Sequence, residues 1–396
     1  MTSTSLFLPQ EGYWQLPPGH NGRRRRRIAD QTAWQERWRD SLATLATSVT
    51  TEPGGAVPAD ADTLVVVAPP HLLPSGLDRP TILVTTTEYP DLVDSGLDLS
   101  RLESYAAVLT PTPAATAAFG AFVPEERLGA APTPRERLPR TEELVVDGVV
   151  IDSQHHSPQA DPEAPVPAVT DDTHRLAFDG IVYLANFDPD DPSEHWDDVL
   201  SAFVYALRDR TDATLLVQLP AGRPERSLVH VWDRMKRLSP YSSRIIVVVP
   251  RLAALLRTPQ ANCVAVTASG AEAEPSWLLD HMAAEVPVIG PVHSALADRI
   301  TIDSGYPVAS TLLPAPYHWD KLMRLRTRSH RCDWQSLADA FTDSYYDHHH
   351  HPDRMREKGR AAARKAVAGT GPVLEFIANA GASLPMHRNR AGTGRS

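Results

Sequence analysis

A stretch of twelve residues, FDPDDPSEHWDD (187–198), contains six carboxylates and no lysine or arginine. It follows the apolar run IVYLA and leads into a segment of helical periodicity, and many α/β proteins hold a phosphate at such a strand-to-helix turn. At about 4 Å and an effective dielectric constant near 20, replacing a cation by an anion beside a phosphate changes about −4 kcal/mol into about +4 kcal/mol. Either another cation serves such a site, or these acids only cap the helix, whose dipole favours them.

A second group of residues could bind an anion through the backbone. Ser269, Gly270 and Ala271 precede a segment that begins with proline and continues as an apolar helix. Backbone N–H groups at a helix start can hold a phosphate, so these three residues form a candidate anion cradle. Glu272 and Asp280 lie eight positions apart across the same helix start. Taken alone, both are more simply explained as solvated acids near a helix N-terminus.

Short apolar runs that end in turns predict the strands of the fold. They are TLVVVA (63–68), TILVTT (81–86), AAVLTPT (106–112), IVYLANF (181–187), ATLLVQL (213–219), RIIVVV (244–249), NCVAVT (262–267) and VPVIG (286–290). Because each run is apolar throughout, it suits a parallel strand that is covered on both faces. Helical segments separate most of the runs. The sequence therefore predicts an α/β protein of two Rossmann-like, doubly wound domains that face each other across a ligand-binding cleft.

Two helices are predicted from apolar spacing. The residues that share one face of the first, within 28–50, are Trp34, Trp38, Leu42, Leu45 and Val49. The second begins after the predicted N-cap Asp333, and its inward residues are Trp334, Leu337, Phe341 and Tyr345. A further C-terminal helix, RMREKGRAAARKAV, follows it.

The domain boundary is placed in a proline-rich, acidic segment, residues 152–174, which is typical of a linker. Before it, VVDGVV (145–150) contains an Asp-Gly pair and predicts a hairpin that closes the first domain. The predicted domains are 1–151 and 175–330, followed by C-terminal helices over 331–380 and a disordered tail over 381–396.

Bulk properties indicate a soluble protein of the cytoplasm. The chain has 396 residues, 42% of them hydrophobic, and a net charge of −10, which disfavours non-specific nucleic-acid binding. Two cysteines cannot form a disulfide framework, and no run is long and apolar enough to span a membrane. The arginine run at 23–27 is either a solvated helix end or a contact to the inner face of a membrane.

Three segments resemble bacterial glycosyltransferases of the GT-B fold, in particular the large retaining family numbered four. They are FDPDDPSEHWDDVLSAFVYALRDRTDATLLVQLP, SGAEAEPSWLLDHMAAEVPVI and HWDKLMRLRTRSHRCDWQSLADAFTDSYY. The resemblance is specific in the second domain and the tail, and weaker in the first domain, where TTEYPDL and VLTPTPAATAAF carry it.

The resemblance implies a nucleoside-diphosphate sugar as the donor, held by the second domain. It makes Glu272 a contact to the donor sugar and Asp280 a contact to the ribose hydroxyls, and it places the amides of Ser269, Gly270 and Ala271 at the diphosphate. It implies no metal and no cofactor, because side-chain cations and backbone N–H groups carry the charge of the leaving group.

The sequence departs from the family where the diphosphate would be neutralised. Relatives have an Arg–Lys pair at the helix start, and Ser193 and Glu194 stand there in this chain. A second family lysine, at the end of the next strand, corresponds to Gln218, and Asn186 ends the neighbouring strand. We count both strand-end amides among the donor-binding candidates.

Three residues could replace the missing cations. Arg223 and Arg226 follow the strand that ends with Gln218, and either they reach the cleft or they are loop arginines in water. His195 is beside Glu194, and either its acidic neighbours keep it protonated or it is a solvated residue at the helix start. A further alternative is that the acids of this stretch attract a cationic acceptor such as an aminocyclitol or amino sugar.

The acceptor side is predicted in the first domain. Thr87, Glu88 and His71 follow the carboxyl ends of strands, where they could meet a glycan, a lipid-linked glycan or a small-molecule acceptor. The alternative is that these are ordinary surface-loop residues, which would show the same sequence pattern.

Three functions therefore remain open at the level of sequence. The first is a retaining glycosyltransferase, supported by Glu272 and Asp280. The second is a catalytically impaired relative that acts as a binding or scaffold partner of an active glycosyltransferase, supported by the missing cations. The third, an epimerase of nucleotide sugars, shares the two-domain architecture but fits the tail segment less well.

Overall fold

The computed structural model of the protein describes residues 4–7, 25–42, 48–50, 63–70, 73, 80–95, 97–156, 165–166, 171–220, 224–251, 256–260, 262–316 and 325–383. Two lobes, each built on one sheet, contain most of them.

The first lobe is built on a sheet of six parallel strands. They are β1 (Thr4–Phe7), β2 (Ser48–Thr50), β3 (Thr63–Val67), β4 (Thr81–Val84), β5 (Ala107–Thr110) and β6 (Leu128–Ala130). Their order across the sheet is β2-β1-β3-β4-β5-β6. The helices of this lobe are α1 (Arg25–Leu42) and α2 (Pro113–Phe119). The three strands predicted in the first half are thus confirmed as β3, β4 and β5.

Helix α1 is shorter than its predicted apolar stripe. Trp34, Trp38 and Leu42 are buried in a cluster against one face of the first sheet, as the spacing predicts. The extension to Val49 is wrong, because Val49 lies on β2 and pairs with Leu6 of β1. An apolar residue at the right spacing can serve a strand equally well.

The second lobe is built on eight strands. They are β7 (Leu144–Asp152), β8 (Asp171–Leu176), β9 (Ile181–Asn186), β10 (Ala213–Gln218), β11 (Arg244–Pro250), β12 (Asn262–Val266), β13 (Val288–Pro291) and β14 (Gly305–Val308). Their order is β14-β13-β12-β9-β10-β11-β7-β8. The six strands from β14 to β11 are parallel, whereas β7 and β8 are antiparallel additions at one edge. All five strands predicted in the second half are confirmed.

The predicted hairpin at VVDGVV is wrong, and this moves the crossing between the lobes. β7 runs straight through Asp147 and Gly148 and pairs with β11 of the second sheet. Gly148 has φ +149°, and a Cβ there would lie 2.2 Å from the carbonyl oxygen of Val249. The glycine thus serves a close approach of two strands rather than a turn. The predicted linker over 152–174 therefore follows β7 within the second lobe, and the chain crosses between the lobes between β6 and β7.

Six helices complete the described fold. They are α3 (Trp196–Leu207), α4 (Pro224–Leu238), α5 (Ser276–Ala283), α6 (Trp334–His350), α7 (Pro352–Ala366) and α8 (Gly371–Ser383). Asp333 caps α6 as predicted, because its carboxylate accepts a hydrogen bond from the N–H of Ser336. Buried apolar clusters cover both faces of each sheet. The part of the chain that the structure describes has no helix long and apolar enough to cross a membrane.

Helix α8 returns to the first lobe. Val373 and Ile377 are buried in the same cluster as Trp34 and Trp38 of α1. The predicted disordered tail begins inside this helix, and its remainder lies outside the described residues. The lobes are therefore joined by two covalent crossings, one before β7 and one between α7 and α8.

An antiparallel hairpin of β15 (Ser310–Pro316) and β16 (Arg326–Cys332) spans the two lobes. On one side the N–H of His330 donates to the carbonyl of Gly270 in the second lobe. On the other, the hydroxyl of Thr327 donates to the carbonyl of Asp91 in the first lobe. The hairpin therefore helps to hold the lobes together.

The stability of the second lobe should depend on pH through His281 of α5. This side chain is buried beside Thr258, and burial lowers the pKa of His281 from 6.5 to about 4. The unfolded chain therefore binds a proton that the folded chain excludes between these pH values. This costs about 1.4 kcal/mol of stability for each pH unit below 6.5.

We expect His281→Gln to flatten the fall in unfolding free energy between pH 7 and pH 4, measured by urea titration at a series of pH values. The exposed residue His350 provides the control, and His350→Gln should leave the slope as it is in the parent. Equal slopes in all three proteins would contradict this assignment.

Candidate functional site

The two lobes meet where helix α1 contacts the N-terminus of α5. The hydroxyl of Ser276 donates to the carbonyl oxygen of Asp30, and the N–H of Trp277 donates to its carboxylate at 3.4 Å. The first turn of a helix attracts negative charge, so the carboxylate of Asp30 occupies a position that favours an anion. Asp30 of the first lobe thus caps α5, the helix that follows the predicted anion cradle.

The predicted ribose contact, Asp280, joins the lobes by ion pairs. Its carboxylate accepts hydrogen bonds from Arg37 of α1 at 2.6 and 2.8 Å, and another from Arg135. Arg135 lies on the segment that crosses between the lobes and is 3% exposed. Burial lowers the pKa of Arg135, while the charge of Asp280 opposes this shift. One carboxylate therefore balances two arginines at the junction of the lobes.

The predicted anion cradle is engaged in internal hydrogen bonds. The N–H of Ser269 donates to the hydroxyl of Thr267, and the N–H of Gly270 donates to the carbonyl of Ser193 at 2.9 Å. A Cβ on Gly270 would lie 1.9 Å from the carbonyl oxygen of His330. Strand β16 can therefore pack this closely only because residue 270 has no side chain. In this closed arrangement, two of the three predicted amide donors already have partners within the chain.

The acidic stretch before α3 stabilises its own turns. Asp191 accepts hydrogen bonds from the N–H and the hydroxyl of Ser193, and Asp188 accepts one from the N–H of Asp190. Ser193 and Glu194, which replace the family's cationic pair, are both buried. These carboxylates therefore cap short turns, including the 3-10 turn Pro192–Glu194, whereas His195 at the N-cap of α3 makes no side-chain cap hydrogen bond.

The predicted replacement cations are engaged elsewhere or lie outside the described part. Arg226 pairs with Asp190 at 3.3 Å, and Arg223 lies outside the described residues. Burial, followed by the charge of Arg331, lowers the pKa of His195, although Asp198 opposes the shift. The acidic neighbours therefore do not raise the pKa of His195, because desolvation outweighs them.

Glu272 and Glu88 line one small cavity between the lobes, with a volume of about 20 Å³. Such a volume holds about one water-sized group. The residues that line it are Asp30, Gln31, Trp34, Thr86, Glu88, Glu272, Ala273 and Glu274. The structure thus brings together one predicted donor residue and one predicted acceptor residue, from opposite lobes.

The remaining predicted site residues are arranged around this junction. Thr87 is buried next to Glu88, and its hydroxyl accepts a hydrogen bond from the N–H of Tyr89. Asn186 and Gln218 are register partners at the ends of β9 and β10. The side-chain oxygen of Gln218 accepts a hydrogen bond from the N–H of Leu256. His71 lies outside the described residues.

Sequence reasoning did not identify the contributions of α1 and of the crossing segment. Asp30, Gln31 and Trp34 line the cavity, and Arg37 and Arg135 bind Asp280. The only signal for α1 was an apolar stripe, which indicates a buried face but not the helix that it meets. Among the described residues there is no group of three or more His, Cys, Asp or Glu side chains that could hold a metal ion.

Comparisons with solved structures identify the architecture. HepE of Anabaena, solved in complex with UDP and glucose, aligns with 96% of this chain and 100% of its own, at a TM-score of 0.54 and 13% identity. Sucrose-phosphate synthase of Thermosynechococcus elongatus aligns over 96% of this chain and 98% of its own, at a TM-score of 0.51 and 10% identity. The fold is GT-B. At these identities the likeness establishes the GT-B fold and not the reaction.

One further structural neighbour is considerably longer than this chain. TarM aligns over 81% of this chain at a TM-score of 0.49 and 10% identity, and this chain spans 55% of the length of TarM. No protein-family profile matches the sequence, and no curated protein matches it at a significant level.

The close contact at Gly270 predicts a large effect of a single methyl group. Gly270→Ala should lower the free energy of unfolding by about 1–3 kcal/mol or more, because strand β16 must move away from the new Cβ. Gly369→Ala is the matched control, since nothing lies within 4 Å of a Cβ there. It should change the stability by less than about 0.5 kcal/mol. Urea unfolding measures both, and equal effects would show that β16 does not pack on Gly270.

The ion pairs of Asp280 should contribute to the stability of the closed protein. Asp280→Asn leaves Arg37 and Arg135 without their carboxylate and should cost about 2 kcal/mol or more. Glu285→Gln removes an ion pair with Arg137 in which both side chains are well exposed, and should cost less than about 1 kcal/mol. Thermal and urea unfolding measure the difference. Similar losses of stability in the two variants would show that the ion pairs of Asp280 stabilise the protein no more than an exposed pair does.

Proposed function

We propose that this protein transfers a sugar from a nucleoside-diphosphate donor to an acceptor hydroxyl, with retention of configuration. The observation that supports this most directly is the position of Glu272. It is buried in the loop after β12, at the carboxyl end of the second sheet, and it lines the cavity that both lobes share. Ligands of doubly wound sheets bind at this edge, and GT-B neighbours such as HepE bind UDP and glucose.

In this proposal the second lobe holds the donor. Glu272 contacts the donor sugar, and Asp280 contacts the ribose through its second oxygen or after exchange with Arg37. Arg37 and Arg135 bring two positive charges to α5, and the Nε and Nη2 atoms of Arg135 have no hydrogen-bond partner among the described residues. These arginines would replace the missing Arg–Lys pair at the diphosphate. We therefore expect no metal to be needed.

The first lobe would hold the acceptor, which is a glycan, a lipid-linked glycan or a small molecule. Glu88 lines the shared cavity, and Thr87 fixes the turn beside it. In the reaction, the bond between the anomeric carbon and the diphosphate oxygen breaks, and a bond from that carbon to the acceptor oxygen forms. The acceptor's proton leaves with the diphosphate. Contact of the arginine run at 23–27 with an anionic membrane stays a prediction.

A second function is favoured by specific contacts. Asp30 caps α5, the amides of Ser269 and Gly270 are engaged, and Asp280 is paired with arginines. A protein whose donor site is closed in this way could act as a binding or scaffold partner of an active glycosyltransferase. The two functions differ in whether a nucleotide binds at all.

Nucleotide binding separates the two functions. We expect one of UDP, GDP, ADP, CDP and TDP to bind with micromolar to millimolar affinity by isothermal titration, and EDTA to leave that affinity unchanged. With the corresponding nucleotide sugar, Glu272→Gln should weaken binding about tenfold, because a charged hydrogen bond to the sugar is lost.

The control variant is Glu125→Gln, which changes an exposed acid on the first lobe and should bind like the parent. A folded protein that releases no heat with any nucleotide would exclude the transferase and leave the scaffold function. Equal binding by Glu272→Gln would place the donor sugar elsewhere.

A further inference from the structure

An open groove lies between α7 and the turn before β14, the edge strand of the second sheet. Its volume is about 600 Å³, and it shares no residue with the cavity between the lobes. The charged residues that line it are Asp303, Arg354, Glu357, Lys358, Arg360 and Arg364. The lining thus holds four cations and two carboxylates, although the whole chain has a net charge of −10. A groove of this charge favours an anionic ligand.

Lys358 is held in the groove by neutral partners. It is 4% exposed, and its ammonium group donates hydrogen bonds to the carbonyl oxygens of Ile302 and Gly305. The same ammonium group lies 4.8 Å from the centre of the Tyr306 ring. Burial, followed by the charge of Arg354, lowers the pKa of Lys358, although more distant carboxylates oppose the shift. The surrounding carboxylates therefore do not compensate for the burial of this positive charge.

Two arginines of the groove have no partner in the part of the chain that the structure describes. Arg360 and Arg364 are exposed, and neither forms a hydrogen bond or an ion pair with a described residue. They are four positions apart on one face of α7, where like charges repel each other. The helix dipole favours Arg364 in the last turn, but it does not extend to Arg360. The third arginine, Arg354, differs from them because it pairs with Asp347 at 3.3 Å.

The acids of the groove do not neutralise these arginines. Asp303 and Glu357 are exposed, and neither forms an ion pair with a cation among the described residues. A carboxylate accepts hydrogen bonds, so both acids can bind the hydroxyl groups of a ligand. Ile302, which is 63% exposed, adds an apolar contact at the same groove. The groove therefore offers guanidinium groups for an anion and acceptors for hydroxyl groups.

We propose that this groove binds the phosphate group of a phosphate ester, with Arg360 and Arg364 as its main ligands. Guanidinium groups bind phosphate oxygens through paired, charge-assisted hydrogen bonds. A phosphate between the two arginines would also relieve their mutual repulsion. A soluble polyol phosphate and a lipid headgroup both present this group. The proposal goes beyond the proposed function and does not rest on it, because the groove is separate from the cavity between the lobes.

Glycerol 3-phosphate and glycerol are a matched pair of soluble probes, since they differ only in the phosphate. We expect the full-length protein to bind glycerol 3-phosphate and not glycerol by isothermal titration at low salt, where screening is weak. The double variant Arg360→Gln, Arg364→Gln should weaken this binding about tenfold or more, because two charged hydrogen bonds are lost. Both residues are exposed, so the double variant should fold as the parent does.

The matched control is Arg356→Gln, because Arg356 lies on the same helix, outside the groove lining, and pairs with Asp353. Each single variant, Arg360→Gln or Arg364→Gln, should weaken binding about threefold or more, whereas Arg356→Gln should change it less than about twofold. Equal weakening by all three would show an adventitious ion only, attracted by the general charge of α7, and would overturn the proposal. Nucleotide binding should be the same in the double variant and the parent. Its loss would place the arginines in the donor site and would also overturn the proposal.

Vesicles distinguish the two sources of the phosphate. Phosphatidic acid is glycerol 3-phosphate that carries two acyl chains, so it presents the same group at a membrane surface. Sedimentation with phosphatidylcholine vesicles that contain phosphatidic acid, but not with phosphatidylcholine alone, would assign the groove to a lipid headgroup if the double variant loses it. Binding of glycerol 3-phosphate without binding to these vesicles would assign it to a soluble ester. A parent protein that binds neither, or a double variant that binds as the parent does, would overturn the proposal.

Discussion

The closed form of this protein depends on how the charge of Asp280 is shared between two lobes. Arg37 comes from the first helix, Arg135 from the segment that joins the sheets, and both meet one carboxylate on α5. Around this contact α1 docks on α5, which brings Asp30 to the helix N-terminus and Trp34 to the cavity wall. Any ligand that takes over Asp280 or the start of α5 must therefore compete with the contacts that hold the lobes together. Substrate binding and lobe closure use the same residues.

Positive and negative charge are divided between neighbouring regions of the junction. Arg37 and Arg135 gather on Asp280 of α5, whereas Glu88, Glu272 and Glu274 line the cavity. The acid-rich stretch before α3 is a separate feature, because its carboxylates accept hydrogen bonds from their own turn. A carboxylate in a loop thus has two distinct uses here. One stabilises local backbone, and the other lines the buried cavity between the lobes.

Local patterns were sufficient for the eight apolar strands that were predicted, and distant contacts explain much of what the sequence did not show. The continuous apolar runs became parallel strands because both faces of each sheet are covered. The Asp-Gly pair at 147–148 resembled a turn. Gly148 instead lies within β7, where the lack of a side chain allows the strand to approach β11 closely. The cradle at Gly270 is closed by His330, which lies sixty positions further along the chain. Likewise, nothing in the apolar stripe of α1 indicated that its polar residues would meet the residues around Glu272.

The return of α8 to the first lobe has a consequence for how the chain is made. Val373 and Ile377 complete an apolar cluster whose other members, such as Trp34 and Trp38, lie more than 330 positions earlier in the chain. Domains generally fold in the order in which they leave the ribosome. Here the apolar cluster on one face of the first sheet is not complete until α8 has been synthesised. During translation the second lobe can therefore complete its buried clusters before the first lobe does.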